Sequence, residues 1–451
     1  MSTPNRRYWL QSGFLSLMIN FQNLLFGFGS FFFLVRMLDK PHFGIWSLFI
    51  ATTTIFDSAR SGMIQNALIK YLSDHDKKEH PLILTASFYL SGALMVACII
   101  VNFSIAGYLA HIWKDQGLIN MFYAFNIVYL LQGILYQFQW IEQANFSFKG
   151  VLLTSIIRQG GFFLYIVLTY FLHWPYTLLS FIWAQAGSAF VAMLIQYLFV
   201  SDNLVLSKTL DRNWVKTLFS YGKYVFGTNI SGILTGTINQ MMLGGLLSAD
   251  AAGAFNVAVR ITTLTEVPTN ALGTIVFPQS AKRFAADGKS AIKYLYEKSV
   301  GTILAILIPS LGFLFIFPDF VVHTVAGSKY PETIPIIRIT VLYCLLTPYS
   351  RLFGTILDSI GKPRINFIII ILFTTTELVL TWYFIIAFGM IGAVYATLAA
   401  CVIFFVIMQV ILANQLKINF LNTFVYAVQF YPEFYRNYVR PRIGKKLPRR
   451  L

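Results

Sequence analysis

Acidic residues are scarce in this chain: 18 Asp and Glu stand against 34 Lys and Arg in 451 residues, a formal net charge of +16. Charged residues of both signs make up only 12% of it, about half the share usual in soluble domains. Three cysteines, Cys98, Cys344 and Cys401, are too few and too scattered for a disulfide framework or a thiolate metal cluster. The histidines at 42, 75, 80, 111, 173 and 323 form no pair at metal-ligand spacing within one predicted span. The longest polar stretches, 70–80, 104–117, 201–216, 281–298 and the segment after 412, hold no phosphate-binding loop, paired-cysteine site or nucleophile elbow. A soluble catalytic domain is therefore excluded. No cofactor, metal or catalytic residue is expected, and any enzyme chemistry would have to be built at a membrane face.

What the chain does have is apolar length. Hydrophobic residues are 57% of it and the mean hydropathy is +0.66. Stretches of about 20 apolar residues, enough to cross a hydrocarbon layer of about 30 Å, recur about a dozen times between Phe14 and Leu412. Runs such as Ile368 to Phe373 show no alternation, which argues against barrel strands. The prediction is an all-α integral membrane protein with about 12 transmembrane helices. Arg6 and Arg7 precede an apolar run that has no small-residue cleavage site and continues for full spanning length, so it reads as a retained first helix.

The bases sort by membrane side. With the N-terminus in the cytoplasm, 24 of the 34 Lys and Arg fall in cytoplasmic segments, four (Arg36, Lys40, Lys114, Lys329) on the opposite side and six inside spans. That asymmetry predicts a multi-pass protein with both termini cytoplasmic. It also argues against a nucleic-acid partner, because the charge forms no single stripe on a soluble face. The densest cluster is the tail: Arg436, Arg440, Arg442, Lys445, Lys446, Arg449 and Arg450, preceded by Phe420, Phe424, Tyr426, Phe430 and Tyr431. The tail reads either as a topology anchor or as a segment lying on anionic membrane lipids.

The polar stretch 201–216 divides the spans six from six. This predicts an N-terminal six-helix lobe over 1–200, a cytoplasmic linker over 201–216, a C-terminal six-helix lobe over 217–412 and a basic, aromatic cytoplasmic tail over 413–451. The halves share a faint pattern. LDKPHFG ends at Gly44, with Asn66 22 residues on; LSADAAG ends at Gly253, with Asn270 17 residues on. Six spans each, starting on the same side, would make parallel repeats about the membrane normal, with a central cavity between two lobes, which is a transporter's geometry.

At these residues the chain resembles a known family. Phe31 to Leu48 (FFFLVRMLDKPHFGIWSL) and Gly245 to Ile261 (GLLSADAAGAFNVAVRI) look like the paired first-to-second and seventh-to-eighth helix junctions of polysaccharide flippases, and Pro278 to Phe284 (PQSAKRF) is similar to the exit of their eighth helix. These are the Wzx-type O-antigen and capsule translocases of the multidrug/oligosaccharidyl-lipid/polysaccharide exporter superfamily. The resemblance covers residues 8 to about 412 and not the tail. It implies movement of an undecaprenyl-diphosphate-linked oligosaccharide across the bacterial cytoplasmic (inner) membrane, without a covalent step, for lipopolysaccharide O-antigen, capsule or exopolysaccharide biosynthesis. Glycosyltransferases and a polymerase are the partners it implies. The alternatives are an ion-coupled small-molecule or drug exporter of the same superfamily and a membrane-embedded glycosyl- or acyltransferase.

Charges inside spans are costly and mark function or pairing. A diphosphate crossing the bilayer needs cations, and a guanidinium fork matches phosphate oxygens. The expected cationic cavity comprises Arg60, Arg260, Arg158, Lys223 and Arg351. Arg260 stands where the family pattern also puts a base. Asp57 and Arg60 share a helix face, so they make either a local salt bridge or leave Arg60 to substrate. Glu266, six residues beyond Arg260, lies about 120° away round a continuous helix, too far for an intrahelical pair. Glu377, beside Thr374, Thr375 and Thr376, is the best buried acid and, with Asp57 and Glu266, a candidate for ion coupling or for structural pairing.

Overall fold

The computed structural model describes residues 6–145, 147–360 and 362–436; the tail bases from Arg440 to Arg450 lie outside them. Among the described residues every regular element is helical. The long helices are α1 (Arg6–Met37), α2 (Lys40–Asp74), α3 (His80–Ile112), α4 (Gly117–Ala144), α5 (Lys149–Leu172), α6 (Leu178–Val200), α7 (Arg212–Leu246), α8 (Ala249–Thr263) and α9 (Val267–Ile316). They are followed by α10 (Pro318–Ala326), α11 (Thr333–Cys344), α12 (Thr347–Ser359), α13 (Pro363–Phe388), α14 (Met390–Leu416) and α15 (Leu421–Phe434).

Nine helical stretches among the described residues are long and apolar enough to cross a membrane. The other three expected spans fall on α2, α7 and the α8–α9 region, which carry the polar runs: Asp57 to Ser61 on α2, and Asn239 and Gln240 on α7. Helices with polar faces must turn them to protein or water. α2 and α7 pack along their length, while Arg60 of α2 turns to α4. Close approach is possible because of glycine. A Cβ at Gly222 would run into the Met63 carbonyl, and one at Gly244 into the Leu48 side chain.

Packing divides the chain into two compact units, residues up to Gly253 and residues from Ala254 onward. In the first unit α4 packs on α6, α3 and α2, and α5 on α6 and α1. Its core is aromatic: Phe49 meets Phe122 and Phe125 at centroid distances of 5.1 and 5.2 Å, and Trp46 meets Phe181 at 5.6 Å. The segment between α6 and α7 is not loose. Ser207 donates its N–H to Thr85 Oγ1 at 2.8 Å, holding the segment on the start of α3.

In the second unit α13 and α14 form a hairpin across Gly389, whose φ of 64° is a conformation that favours glycine. α9 packs with α11, α12 and α15.

The structure differs from sequence expectation at three places, each with a local cause. The apolar stretch 333–357, long enough to read as one span, is two helices, because Pro348 sits in the first turn of α12 and cannot continue α11. Arg338 and Arg351 therefore belong to different helices, and Arg338 reaches Asp319 of α10 at 3.9 Å. Pro268 in the first turn of α9 likewise ends α8 at Thr263, leaving Leu264–Glu266 as a 3-10 turn, so rotation about one continuous helix does not relate Arg260 to Glu266. Finally, the polar stretch 281–298, expected as a loop, is helical within the 50-residue α9. Its Ala, Lys, Arg, Glu and Leu content favours helix over loop, with Gly288 the single strong opponent.

The first part of the tail is also folded. α15 docks on α9: Glu297, 2% exposed, accepts from the Asn419 N–H at 2.8 Å and the Asn422 side chain at 3.0 Å. Tyr431 donates to the Ala305 carbonyl at 2.6 Å, and Lys298 pairs with Glu433 at 3.1 Å.

Candidate functional site

The candidate site lies in the first unit and is assembled from α2, α4 and α5. On α2, Asp57 and Arg60 are less than one turn apart, and Arg60 Nη2 donates to Asp57 Oδ1 at 2.7 Å. The Arg60 side chain is 1% exposed and that of Asp57 24%, so the pair is closed on the arginine side and open on the acid side. α4 supplies the space and a ring. A Cβ at position 133 would come within 3.0 Å of Arg60 Nη1 and of Met95 Sδ, so Gly133 leaves room for the guanidinium. Three residues on, the Tyr136 ring centroid lies 5.7 Å from Arg60 Cζ.

α5 brings Arg158 to the same ring, its Cζ 5.6 Å from the centroid. Two guanidiniums thus share one aromatic ring, which attracts cations electrostatically. Asp57 is the acid bonded to this cluster, leaving an excess of one positive charge. Arg60 Nε and Nη1 and Arg158 Nε are buried without a hydrogen-bond partner. Each such donor costs about 1–3 kcal/mol unless something accepts from it. Unpartnered guanidinium donors suit an anion such as a phosphate, whose oxygens accept.

The remaining expected residues stand elsewhere. Lys223 is exposed on α7, and Arg260 is exposed in the last turn of α8. In the second unit Glu266, half-buried in the turn between α8 and α9, feels the charge of Arg351 on α12. Glu377, 1% exposed on α13, accepts from Thr397 Oγ1 of α14 at 3.0 Å. The structure therefore gathers Asp57, Arg60 and Arg158 into one cluster, while Glu266, Arg351 and Glu377 stand in the second unit.

A family model described as "Polysaccharide biosynthesis protein" matches residues 33–335, more than half of the chain. The chain belongs to that family. The match bears out the resemblance read from the two helix junctions, and it overlaps both of them. Among relatives, the membrane protein MJ1068 of Methanocaldococcus jannaschii is 25% identical over 86% of this chain and 82% of its own. The probable low-salt glycan biosynthesis flippase Agl15 of Haloferax volcanii is 23% identical over 40% of this chain and 39% of its own. The lipopolysaccharide biosynthesis protein WzxC of Escherichia coli is 21% identical over 74% of this chain and 66% of its own. Two solved structures share the fold. An inward-facing multidrug resistance MATE family transporter of the MOP superfamily superposes with TM-score 0.73 at 14% identity, over 87% of this chain and 95% of its own. The lipid II flippase MurJ, in an inward closed conformation, superposes with TM-score 0.71 at 14% identity, over 94% and 99%. At that identity the likeness speaks for the fold alone.

This polysaccharide biosynthesis protein also contains a buried acid that sequence reasoning missed. Glu142, 3% exposed, stands in the last turn of α4, which runs to Ala144. Its Oε1 accepts from the Ser147 hydroxyl at 2.8 Å and the Gly150 N–H at 2.9 Å, and its Oε2 accepts from Gln196 Nε2 at 2.6 Å. The carboxylate thus ties α4 to α6 and to the positive N-terminal end of α5. The available signal was an acid close before a helix start at Lys149. Glu142→Ala would orphan all three donors, at about 1–3 kcal/mol each. We expect its thermal midpoint in detergent to drop by several degrees, with Glu142→Gln intermediate; an unchanged midpoint for the alanine variant rules out this bracing role.

Proposed function

We propose that this protein is a flippase that moves a lipid-linked oligosaccharide across a membrane for cell-surface polysaccharide biosynthesis. The observation that carries this reading is the Arg60 and Arg158 pair over Tyr136, with three buried guanidinium N–H groups lacking a hydrogen-bond partner, in a chain of the polysaccharide biosynthesis family. Such a pair suits the diphosphate of the cargo. Relatives named for glycan flipping and lipopolysaccharide biosynthesis support the same substrate class. The step breaks no covalent bond, so what the protein must supply is compensation of charge during passage. Arg260, Lys223 and Arg351 are further cations for the same headgroup, met at other points of its path.

The segregation of bases supports an inner-membrane protein with both termini in the cytoplasm, where glycosyltransferases would load the carrier lipid and from which a polymerase would be supplied. We infer two lobes from the repeat, residues 1–200 and 217–412 joined by 201–216, with α7 of the second lobe packed along α2 of the first. Replacing Arg158 by alanine in the native host should cut surface polysaccharide at least tenfold at matched protein level and make the lipid-linked precursor accumulate. Normal polysaccharide in that strain would sink the reading.

Coupling to an ion gradient is assigned to Glu377, a buried acid able to take up a proton or cation and held by Thr397. Asp57 and Glu266 are the secondary candidates. A gradient can bias two conformations only as far as their affinities for the ion differ. Glu377→Gln should therefore abolish the dependence of transport on a pH gradient in proteoliposomes while leaving cargo binding nearly unchanged. A retained gradient response makes Glu377 a structural group.

A further inference from the structure

The outward-facing residues of α1 fall into two stripes. Phe21 and Leu25, 58% and 53% exposed, are apolar and one turn apart, as expected against lipid. Asn20, Asn23 and Gly27 are also exposed and lie about 150° round the helix from them. A polar stripe inside a span belongs against water or protein. At Gly27 nothing stands within 4 Å of where a Cβ would be, so the backbone itself is open there.

Beside this stripe three carboxamides converge. Asn23 Oδ1 accepts from Gln22 Nε2 at 2.6 Å and from Gln159 Nε2 of α5 at 2.5 Å. Gln22 is 6% exposed, and its Oε1 is buried without a partner. Polar residues often hold membrane helices together, but one amide bond between α1 and α5 would do that. Such a bond explains neither the third carboxamide, nor the orphaned acceptor, nor the exposure of Asn23. Gln159 follows Arg158 on α5, about 100° round the helix from it, so neighbouring faces of this one helix carry the amide that meets α1 and the guanidinium that meets α4.

We propose that Gln22, Asn23 and Gln159 form a shelf that recognises the hydroxyl groups of the uncharged sugar attached to the diphosphate. This rests on the flippase reading. Guanidiniums only donate and phosphate oxygens only accept, whereas a hydroxyl and a carboxamide each do both. The arginine pair and the shelf thus divide the headgroup between its anionic and its hydroxyl-rich parts. A site whose buried acceptor is satisfied only by a substrate hydroxyl discriminates strongly against an analogue that lacks it.

The test uses the full-length protein in lipid nanodiscs and two probes, polyprenyl diphosphate alone and polyprenyl diphosphate bearing one N-acetylhexosamine. The wild type should bind the glycosylated probe at least tenfold tighter. Asn23→Leu and, separately, Gln159→Met should erase that preference while changing affinity for the bare diphosphate less than twofold. Retained affinity for the bare probe shows that the variant is folded; if Asn23→Leu lacks it, the milder Gln159→Met decides. Equal binding of both probes by the wild type, or an undiminished preference in Gln159→Met, overturns the shelf and leaves the flippase reading standing. Failure of the wild type to bind either probe overturns the flippase reading and the shelf with it.

Discussion

Arg60→Ala should reduce transport roughly 10- to 150-fold, the range corresponding to loss of one charge-assisted hydrogen bond of about 1.5–3 kcal/mol. The same substitution also leaves Asp57 without the guanidinium that sits 2.7 Å from it, so the single variant mixes two effects. A double-mutant cycle separates them. Asp57→Asn removes the acid and leaves Arg60 with all its donors for the cargo, so its loss should be severalfold at most. Asp57→Asn combined with Arg60→Ala removes both charges at once. If the pair were only a local salt bridge, the double variant would recover much of the activity, because no uncompensated charge remains in the membrane. If Arg60 binds phosphate, the double variant stays as impaired as Arg60→Ala. We expect the second result, read as transport per protein in proteoliposomes and checked against surface polysaccharide in cells.

The second large effect is expected at Gly44. A Cβ there would collide with the Ala249 carbonyl, and a Cβ at Gly253 would lie 3.0 Å from the Gly44 Cα, so the starts of α2 and α8 meet backbone to backbone. Backbone cannot swing aside as a side chain can. Gly44→Val must therefore push the two helices apart, at about 1–3 kcal/mol or more. We expect a lower thermal midpoint in detergent together with loss of transport. Gly27→Ala is the control, since its new methyl group meets nothing within 4 Å and should change the midpoint little. Equal midpoints for Gly44→Val and wild type would show that this contact does not hold the first unit together. Gly222→Val, against the Met63 carbonyl, offers an independent test of the same principle on the α2–α7 contact.

Gly44 and Gly253 end the two related segments LDKPHFG and LSADAAG, a repeat visible in the chain before any coordinates. Its meaning was not visible there. Only folding brings the two glycines against each other, and only then does it become plain that each is needed because the other helix's backbone occupies the space.

Much else was legible in one dimension because its cause is local. Apolar stretches of spanning length, with no alternation, dictate membrane helices whatever they pack against. The sorting of bases acts on each short loop separately, and prolines act within one turn of themselves. Pro268 and Pro348 accordingly broke spans where a proline's missing N–H and bulky ring demand it, although the exact ends of α8, α9, α11 and α12 required coordinates.

The tertiary structure decided the partners. Whether Arg60 meets Asp57 follows from helical spacing, but that Arg60 and Arg158 face the same Tyr136 depends on how α2, α4 and α5 are rotated against one another. The same holds for Glu142, whose donors are Ser147 just before α5, Gly150 of α5 and Gln196 of α6, and for Asn23, whose acceptor is shared by α1 and α5. Burial in a membrane helix says that a charge must be compensated, a requirement that any of several neighbours can meet. Which neighbour meets it is set by the packing of side chains tens of residues apart, and no local pattern carries that choice.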